Sequence, residues 1–121
     1  MIDGVALPDG PASLGDAVAR WTGGAGMNVV LELVGGAYLP ASLAALAPLG
    51  RLMLIGTMGG ARVDVDLGLV LRRRLTVRGT VLRVRPLEEK ILAARHFAAH
   101  VVPLLERGEV RAVVDLSLIH I

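Results

Sequence analysis

Short apolar runs alternate with helix-forming segments along the chain, and this alternation limits the folds that are open to it. Residues 29–34 and 52–55 are mostly apolar and each is followed by glycines, a pattern that predicts strands buried on both faces. Residues 75–82 alternate between apolar and polar positions, which predicts a strand with one wetter face near the edge of a sheet. Residues 110–116 predict a last strand.

Helix signals fill the segments between these runs. Ser13, with Asp16 three residues later, predicts a helix over about 14–22 that begins with a capping box. Asp66 predicts the cap of a later helix, and Pro103 must break or kink the last one. From the first strand onward the order is β-α-β-α-β-α-β. It predicts an α/β fold, namely a partial Rossmann fold of three to four mostly parallel strands with helical crossovers.

The composition excludes several classes of protein. The sequence has 121 residues, 54% of them hydrophobic and 20% charged, which rules out intrinsic disorder. It contains no cysteine, so disulfides, a thiol nucleophile and cysteine-ligated metals are excluded. A net charge of +2 is too small to predict a nucleic-acid partner.

The sequence also predicts no membrane partner. Glycines and prolines divide its longest uncharged run, residues 33–50, into pieces shorter than the roughly 20 residues that a bilayer requires. The N-terminus lacks the basic region of a secretory signal. We therefore expect a cytoplasmic protein.

Glycines follow the first two predicted strands, at the point where each strand ends. In open parallel sheets, ligands bind beyond the carboxyl ends of the strands, and glycine lets the backbone approach a flat or phosphorylated ligand. One interpretation is that these glycines only make tight turns; their occurrence in two consecutive turns favours a nucleotide-type ligand. No G-x-G-x-x-G loop lies between a strand and a helix, which indicates half of a Rossmann domain. The two turns lie at residues 34–36 and 55–60.

Two other groups of residues could carry chemistry. His96 and His100 are four residues apart and share a helix face, the geometry of a metal pair. Because no third ligand is apparent nearby, ordinary surface histidines are the favoured interpretation and no metal is predicted. Residues 72–85 carry six arginines and no acid. A phosphate or nucleic-acid patch is the alternative there to solvated or interface arginines.

Several stretches together resemble a known family. The chain resembles the zinc-independent quinone oxidoreductases of the medium-chain dehydrogenase/reductase superfamily, and within them the subgroup that includes p53-inducible quinone oxidoreductase. The resemblance covers about residues 4–116. The stretches that carry it are residues 22–36, 50–52, 55–56, 59–60, 75–85 and 100–105.

This resemblance implies an enzyme that transfers hydride from NADPH to a quinone or another activated acceptor, without a metal. The cofactor contacts that it places in the two glycine turns are Val34, Gly35, Gly56, Thr57, Met58 and Gly59, and those that it places at the nicotinamide end are Thr80, Val81 and Leu82. It places no catalytic residue in this chain. It implies a homodimer joined through the strand at 75–82. Asp9 stands about where the family has a tyrosine near the adenine pocket.

The resemblance also implies a domain organisation. Residues 1–110 correspond to the C-terminal half of the cofactor domain, and residues 111–116 to the start of the strand that returns to a catalytic domain. Residues 117–121 resemble translated sequencing-adapter sequence, so we expect a truncated reading frame with a non-native tail, inactive toward quinones as printed. The alternatives are an enoyl reductase of the same superfamily and a non-catalytic module that pairs through its third strand.

Overall fold

Three parallel strands form one sheet, with helices in the connections between them. The structure is a computed structural model that describes residues 10–112. The chain divides into two compact units, and the described parts of these are residues 10–81 and 82–112. The strands are β1 (Met27–Glu32), β2 (Leu46–Leu54) and β3 (Thr76–Gly79), and the helices of the first unit are α1 (Leu14–Thr22), α2 (Tyr38–Ala45) and α3 (Leu67–Arg73). The sheet order is β1-β2-β3 with parallel pairing throughout, so the predicted α/β class is confirmed.

Leucines from α2 and β2 form the core of the first unit. Leu43, Leu46 and Leu52 are each at most 2% exposed. Burying a leucine side chain contributes roughly 1.5–3 kcal/mol, so this cluster holds α2 against the sheet. The partly buried residues packed around it are Met27, Val30, Leu39, Leu54, Val65, Leu69 and Leu75.

Strand β2 begins earlier than the sequence pattern predicts. Its first pair joins Leu46 to Met27, and regular pairing with β1 resumes only at Arg51, opposite Val29. Within the irregular stretch Leu49 has a φ of 64°, a left-handed conformation that is uncommon for a non-glycine residue. Because of this irregularity, residues 46–51 do not show the apolar pattern from which the strand is predicted at 52–55.

The two edge strands differ from their predicted bounds and burial. Strand β1 ends at Glu32, and Val29 and Leu31 are 42% and 61% exposed, so the prediction of burial on both faces is wrong. The reason is its position: β1 lies at one edge of the sheet and pairs only with β2. Strand β3, predicted over 75–82, covers only residues 76–79, all of them exposed.

The helix caps are partly as predicted. Asp66 caps α3, because its side chain accepts a hydrogen bond from the Leu69 N–H at 3.1 Å. The capping box at Ser13 is wrong. The Ser13 hydroxyl donates to the Gly10 carbonyl at 3.2 Å, because a 3₁₀ turn over Gly10–Ser13 precedes α1 and leaves Ser13 in a helical conformation.

The described part of the second unit is helical. It holds α4 (Leu87–His100) and α5 (Val102–Glu106), and Pro103 stands in the first turn of α5, so the predicted break is confirmed. Residues 110–112 are not in a strand. The rest of the predicted strand 110–116, the tail 117–121 and Asp9 lie outside the described residues. Among residues 10–112, no helix is both long and apolar enough to cross a membrane.

Candidate functional site

Two loops meet at the carboxyl edge of the sheet. Residues 33–37 follow β1 and residues 55–60 follow β2; we call these two loops together the glycine edge. The Gly36 N–H donates to the Gly60 carbonyl at 2.9 Å, and the Gly59 N–H donates to the Val34 carbonyl at 2.6 Å. The two predicted turns therefore form one hydrogen-bonded surface.

Glycine is required where these loops touch. A Cβ at Gly36 would collide with the carbonyl of Gly59, and a Cβ at Gly56 would collide with the carbonyl of Leu33. At Gly35 a Cβ would lie 2.8 Å from the Gly60 oxygen, and Gly35 and Gly36 have φ of 68° and 51°. These glycines thus serve the contact between the loops, which is the turn interpretation offered by the sequence.

A buried carboxylate fixes the start of this surface. Glu32 is 4% exposed, and its Oε1 accepts hydrogen bonds from the N–H groups of Val34 and Gly35, both at 2.9 Å. Its Oε2 accepts one from the Ser42 hydroxyl at 2.5 Å. Its main-chain carbonyl accepts from Ile55 at 2.8 Å, so a single residue ties together both loops and α2.

Sequence reasoning missed the role of Glu32. The available signal was a single acidic residue inside an apolar strand, three positions before a glycine pair. A carboxylate in such a place must find hydrogen-bond donors, and the nearest donors are the amides of the following turn.

Most of the amide hydrogens of the glycine edge donate to acceptors within the protein. A phosphate-binding loop instead directs its free N–H groups at the ligand. The glycine edge is therefore suited to an uncharged, flat part of a ligand more than to a phosphate. The amides that donate to protein acceptors are those of Val34, Gly35, Gly36, Ile55, Gly56, Gly59 and Gly60.

The remaining predicted site residues are placed as follows. Met58, at the tip of the second loop, is 85% exposed. The Thr80 N–H donates to the Leu54 carbonyl at 2.9 Å, so Thr80 and Val81 leave the sheet at the same edge as the two loops. Leu82 is the first residue of the second unit, which is described by itself, and it is 59% exposed.

A pocket of about 350 Å³ lies beside β1. Side chains from α1, β1 and α2 line it, with Trp21 and Tyr38 among its walls and Glu32 and Ser42 as polar members. Val34 belongs both to this pocket and to the glycine edge. The sequence does not predict the pocket, because it depends on the open face of β1.

Two members of the arginine run have structural roles. Arg72 pairs with Asp66 at 3.3 Å, and the Arg73 guanidinium donates to the carbonyls of Ala44 and Leu46 at 2.7 and 2.6 Å. Both guanidinium groups thus have partners within the protein, which disfavours a phosphate patch at these two arginines. Within residues 10–112, no group of three or more histidine, aspartate or glutamate side chains could hold a metal ion.

Comparison with known proteins identifies relatives of the chain. Residues 5–102 match the family model described as zinc-binding dehydrogenase. Quinone oxidoreductase-like protein 2 of Bos taurus is 36% identical over 67 residues, which are 55% of this chain and 19% of that protein. The chain thus spans about a fifth of the length of this curated relative.

Solved structures of two dehydrogenases or reductases are also similar to this chain. A mycobacterial quinone oxidoreductase is 29% identical with a TM-score of 0.56, over 64% of this chain and 24% of that one. An NAD-dependent alcohol dehydrogenase is 25% identical with a TM-score of 0.60, over 88% of this chain and 27% of that one. Because the family model matches most of its length, the chain belongs to the zinc-binding dehydrogenase family of the medium-chain dehydrogenase/reductase superfamily.

Proposed function

We propose that this chain supplies one side of the NADPH site of a zinc-independent quinone oxidoreductase. Such an enzyme transfers hydride from NADPH to a quinone or a similar activated acceptor. The observation that carries the proposal is the glycine edge, two loops bonded together beyond the carboxyl ends of β1 and β2. In open α/β sheets this is the place where cofactors bind. The quinone oxidoreductase relatives support the choice of reaction.

The site is proposed to hold the nicotinamide and a ribose, and to leave the pyrophosphate to other groups. Most amides of the glycine edge already donate to protein acceptors, so few donors are left for the charged oxygens of a pyrophosphate. The exposed side chains of Met58 and Val81 offer apolar surface to a flat ring. The residues proposed to contact the cofactor are Val34, Gly35, Gly56, Thr57, Met58, Gly59, Thr80, Val81 and Leu82.

In this proposal the cofactor supplies the hydride and the residues of this chain orient it. The loops present a fixed backbone because Glu32 and the bonds between Gly36, Gly59 and Gly60 hold them. Correct orientation can supply several kcal/mol of barrier lowering, on the order of 7 in well-aligned systems. The function proposed for Glu32 is accordingly one of positioning.

A pair of charge substitutions tests the location of the site. Met58→Glu places a negative charge on the glycine edge and should weaken the binding of the anionic cofactor by about threefold or more. Leu71→Glu is the matched control, because Leu71 is 76% exposed on α3, outside the glycine edge. Titration of the fluorescence of reduced nicotinamide measures both. If the two substitutions weaken binding equally, the cofactor does not bind at the glycine edge. A parallel titration with NADH tests the preference for NADPH.

A turnover assay tests the catalytic part of the proposal. The sequence contains no G-x-G-x-x-G loop for the pyrophosphate, and no catalytic residue is assigned to the chain. We therefore propose that the chain as printed does not reduce quinones. Purified chain with NADPH and a small quinone should show no loss of nicotinamide absorbance above the uncatalysed rate. Faster loss would mean that the chain holds a complete site.

Strand β3 supports a proposal about assembly. It ends the sheet on one side, and its four residues are exposed. Such an edge can pair with the same edge of a second chain, so we propose a homodimer joined through residues 75–82. Light scattering at micromolar concentration should give twice the mass of the chain, and a monomer at that concentration would reject the dimer.

A further inference from the structure

Two histidine rings face each other on the surface of helix α4. His96 and His100 lie four residues apart, one helical turn, and the ring centroids are 5.8 Å apart with 26° between the ring planes. Both residues are exposed. Because an α-helix brings residues i and i+4 to the same face, the two rings share one patch of surface.

The rings are available to a ligand from solution. Among the side-chain hydrogen bonds and ion pairs of residues 10–112, none engages the imidazole of His96 or His100. Glu89, two helical turns before His96 on α4, pairs with Arg85 at 3.4 Å. The pair therefore consists of two imidazoles without a competing carboxylate partner.

We propose that His96 and His100 chelate one divalent transition-metal ion, with one ring nitrogen from each residue and water in the remaining positions. Imidazole nitrogen suits Zn²⁺, Ni²⁺ and Cu²⁺, whereas Ca²⁺ and Mg²⁺ require oxygen ligands. The site uses residues of the second unit only and is independent of the proposed cofactor function. With two protein ligands it binds reversibly, and Cu²⁺ should bind more tightly than Ni²⁺ or Zn²⁺.

Binding should also stabilise the helix. A metal held by two successive turns binds the folded helix more tightly than the unfolded chain, so it shifts the equilibrium toward the helix. Hydrogen exchange of the α4 amides should therefore slow when Zn²⁺ is added and return to its original rate with a chelator.

The test is a Zn²⁺ titration of the full chain by calorimetry. His96→Ala and His100→Ala should each weaken binding by about tenfold or more, since each removes one of two ligands. The double substitution Ala98→His with His100→Ala is the matched control: it keeps the number of histidines but moves one off the shared face, and it should bind as weakly as His100→Ala. His120→Ala should leave the affinity unchanged.

A second measurement needs no variant. Ni²⁺ is paramagnetic, and in the unsubstituted chain it should broaden the amide resonances around residues 96–100 first. The proposal is wrong if broadening centres elsewhere, if His120→Ala removes the binding, if the displaced histidine restores it, or if Ca²⁺ binds as tightly as Zn²⁺.

Discussion

The Ser42 hydroxyl donates a hydrogen bond to the Glu32 carboxylate at 2.5 Å, and both residues are buried. The contact joins the end of β1 to the middle of α2, which are ten residues apart in sequence. Since the same carboxylate holds the amides of Val34 and Gly35, the turn after β1 depends on a buried polar network. Networks of this kind stabilise a fold only when every member has a partner.

Substitutions in this network should follow a fixed order of severity. Ser42→Ala leaves one carboxylate oxygen without its donor and should lower the free energy of unfolding by about 1–3 kcal/mol. Glu32→Ala leaves two amides and a hydroxyl without acceptors, so its effect should be larger, while Glu32→Gln keeps an acceptor and should lie between the two. Urea unfolding measures all three. A Ser42→Ala effect larger than that of Glu32→Ala would contradict the assignment of Glu32 as the centre of the network.

The contact between the loops predicts a contrast between two glycines. Gly36→Ala should destabilise the fold by about 2–5 kcal/mol, because the left-handed φ opposes a side chain and the Cβ would collide with Gly59. Gly15→Ala, in α1, meets nothing within 4 Å and should stabilise the fold by about 0.5 kcal/mol. Thermal unfolding compares them. If Gly36→Ala is neutral, the loops do not touch as described.

Gly59 illustrates a consequence for variant design. A Cβ there would lie 3.0 Å from Val34 Cγ1 and 3.2 Å from the Val34 oxygen. A valine at this position therefore disturbs the loop contact as well as any ligand contact, and loss of cofactor binding in Gly59→Val would have two causes.

The Arg73 guanidinium acts as a cap for α2. It donates to the Ala44 and Leu46 carbonyls, which lie at the end of that helix, where carbonyl groups lack partners within the helix. Arg73→Met should lower the free energy of unfolding by about 1–2 kcal/mol. Arg62→Met, an exposed arginine before α3, should change it by less than about 0.5 kcal/mol. Urea unfolding measures both variants. The difference between their free energies of unfolding should persist at high salt, since the Arg73 contacts are hydrogen bonds to carbonyls.

The cap of α3 predicts a pH dependence. The hydrogen bond from the Leu69 N–H, with a contribution from Arg72, holds the pKa of Asp66 below its ordinary value of 3.8. Because the pKa is lower in the folded state, the ionised carboxylate stabilises the fold at pH values above the pKa of the unfolded state. This stabilisation is lost as the pH falls through the pKa of the folded state. The unsubstituted chain should thus have a higher free energy of unfolding than Asp66→Asn. This difference should have its full size at pH 7 and pH 5 and be smaller at pH 3. A difference that is equal at all three pH values would contradict this account.

The elements with strong local signals were predictable from the sequence. Asp66 and Pro103 mark a helix start and a helix break because a side-chain acceptor and a missing N–H act within a few residues. Parallel pairing follows from the alternation of strands and helices, which allows few other connections.

What the sequence could not predict depends on distant neighbours. Val29 is exposed because β1 pairs with a single strand, and the local sequence does not show how many strands pair with a given segment. The role of Glu32 depends on Ser42, which only the fold brings near. Likewise, the glycines of the two turns are visible in the sequence, but their contact across the sheet edge is not.

An amide-resolved NADPH titration of the isotopically labelled chain is the most direct test that the glycine edge is the cofactor site. We expect the largest chemical-shift changes at residues 34–35, 56–59 and 80–82, even if millimolar cofactor is needed because other groups bind the pyrophosphate. Exposed Leu71, on α3 and outside the glycine edge, should not respond. Shifts spread over the arginines of residues 72–85 with no response of Gly35 or Met58, or no shifts at any concentration, would contradict the assignment of the glycine edge as the cofactor site.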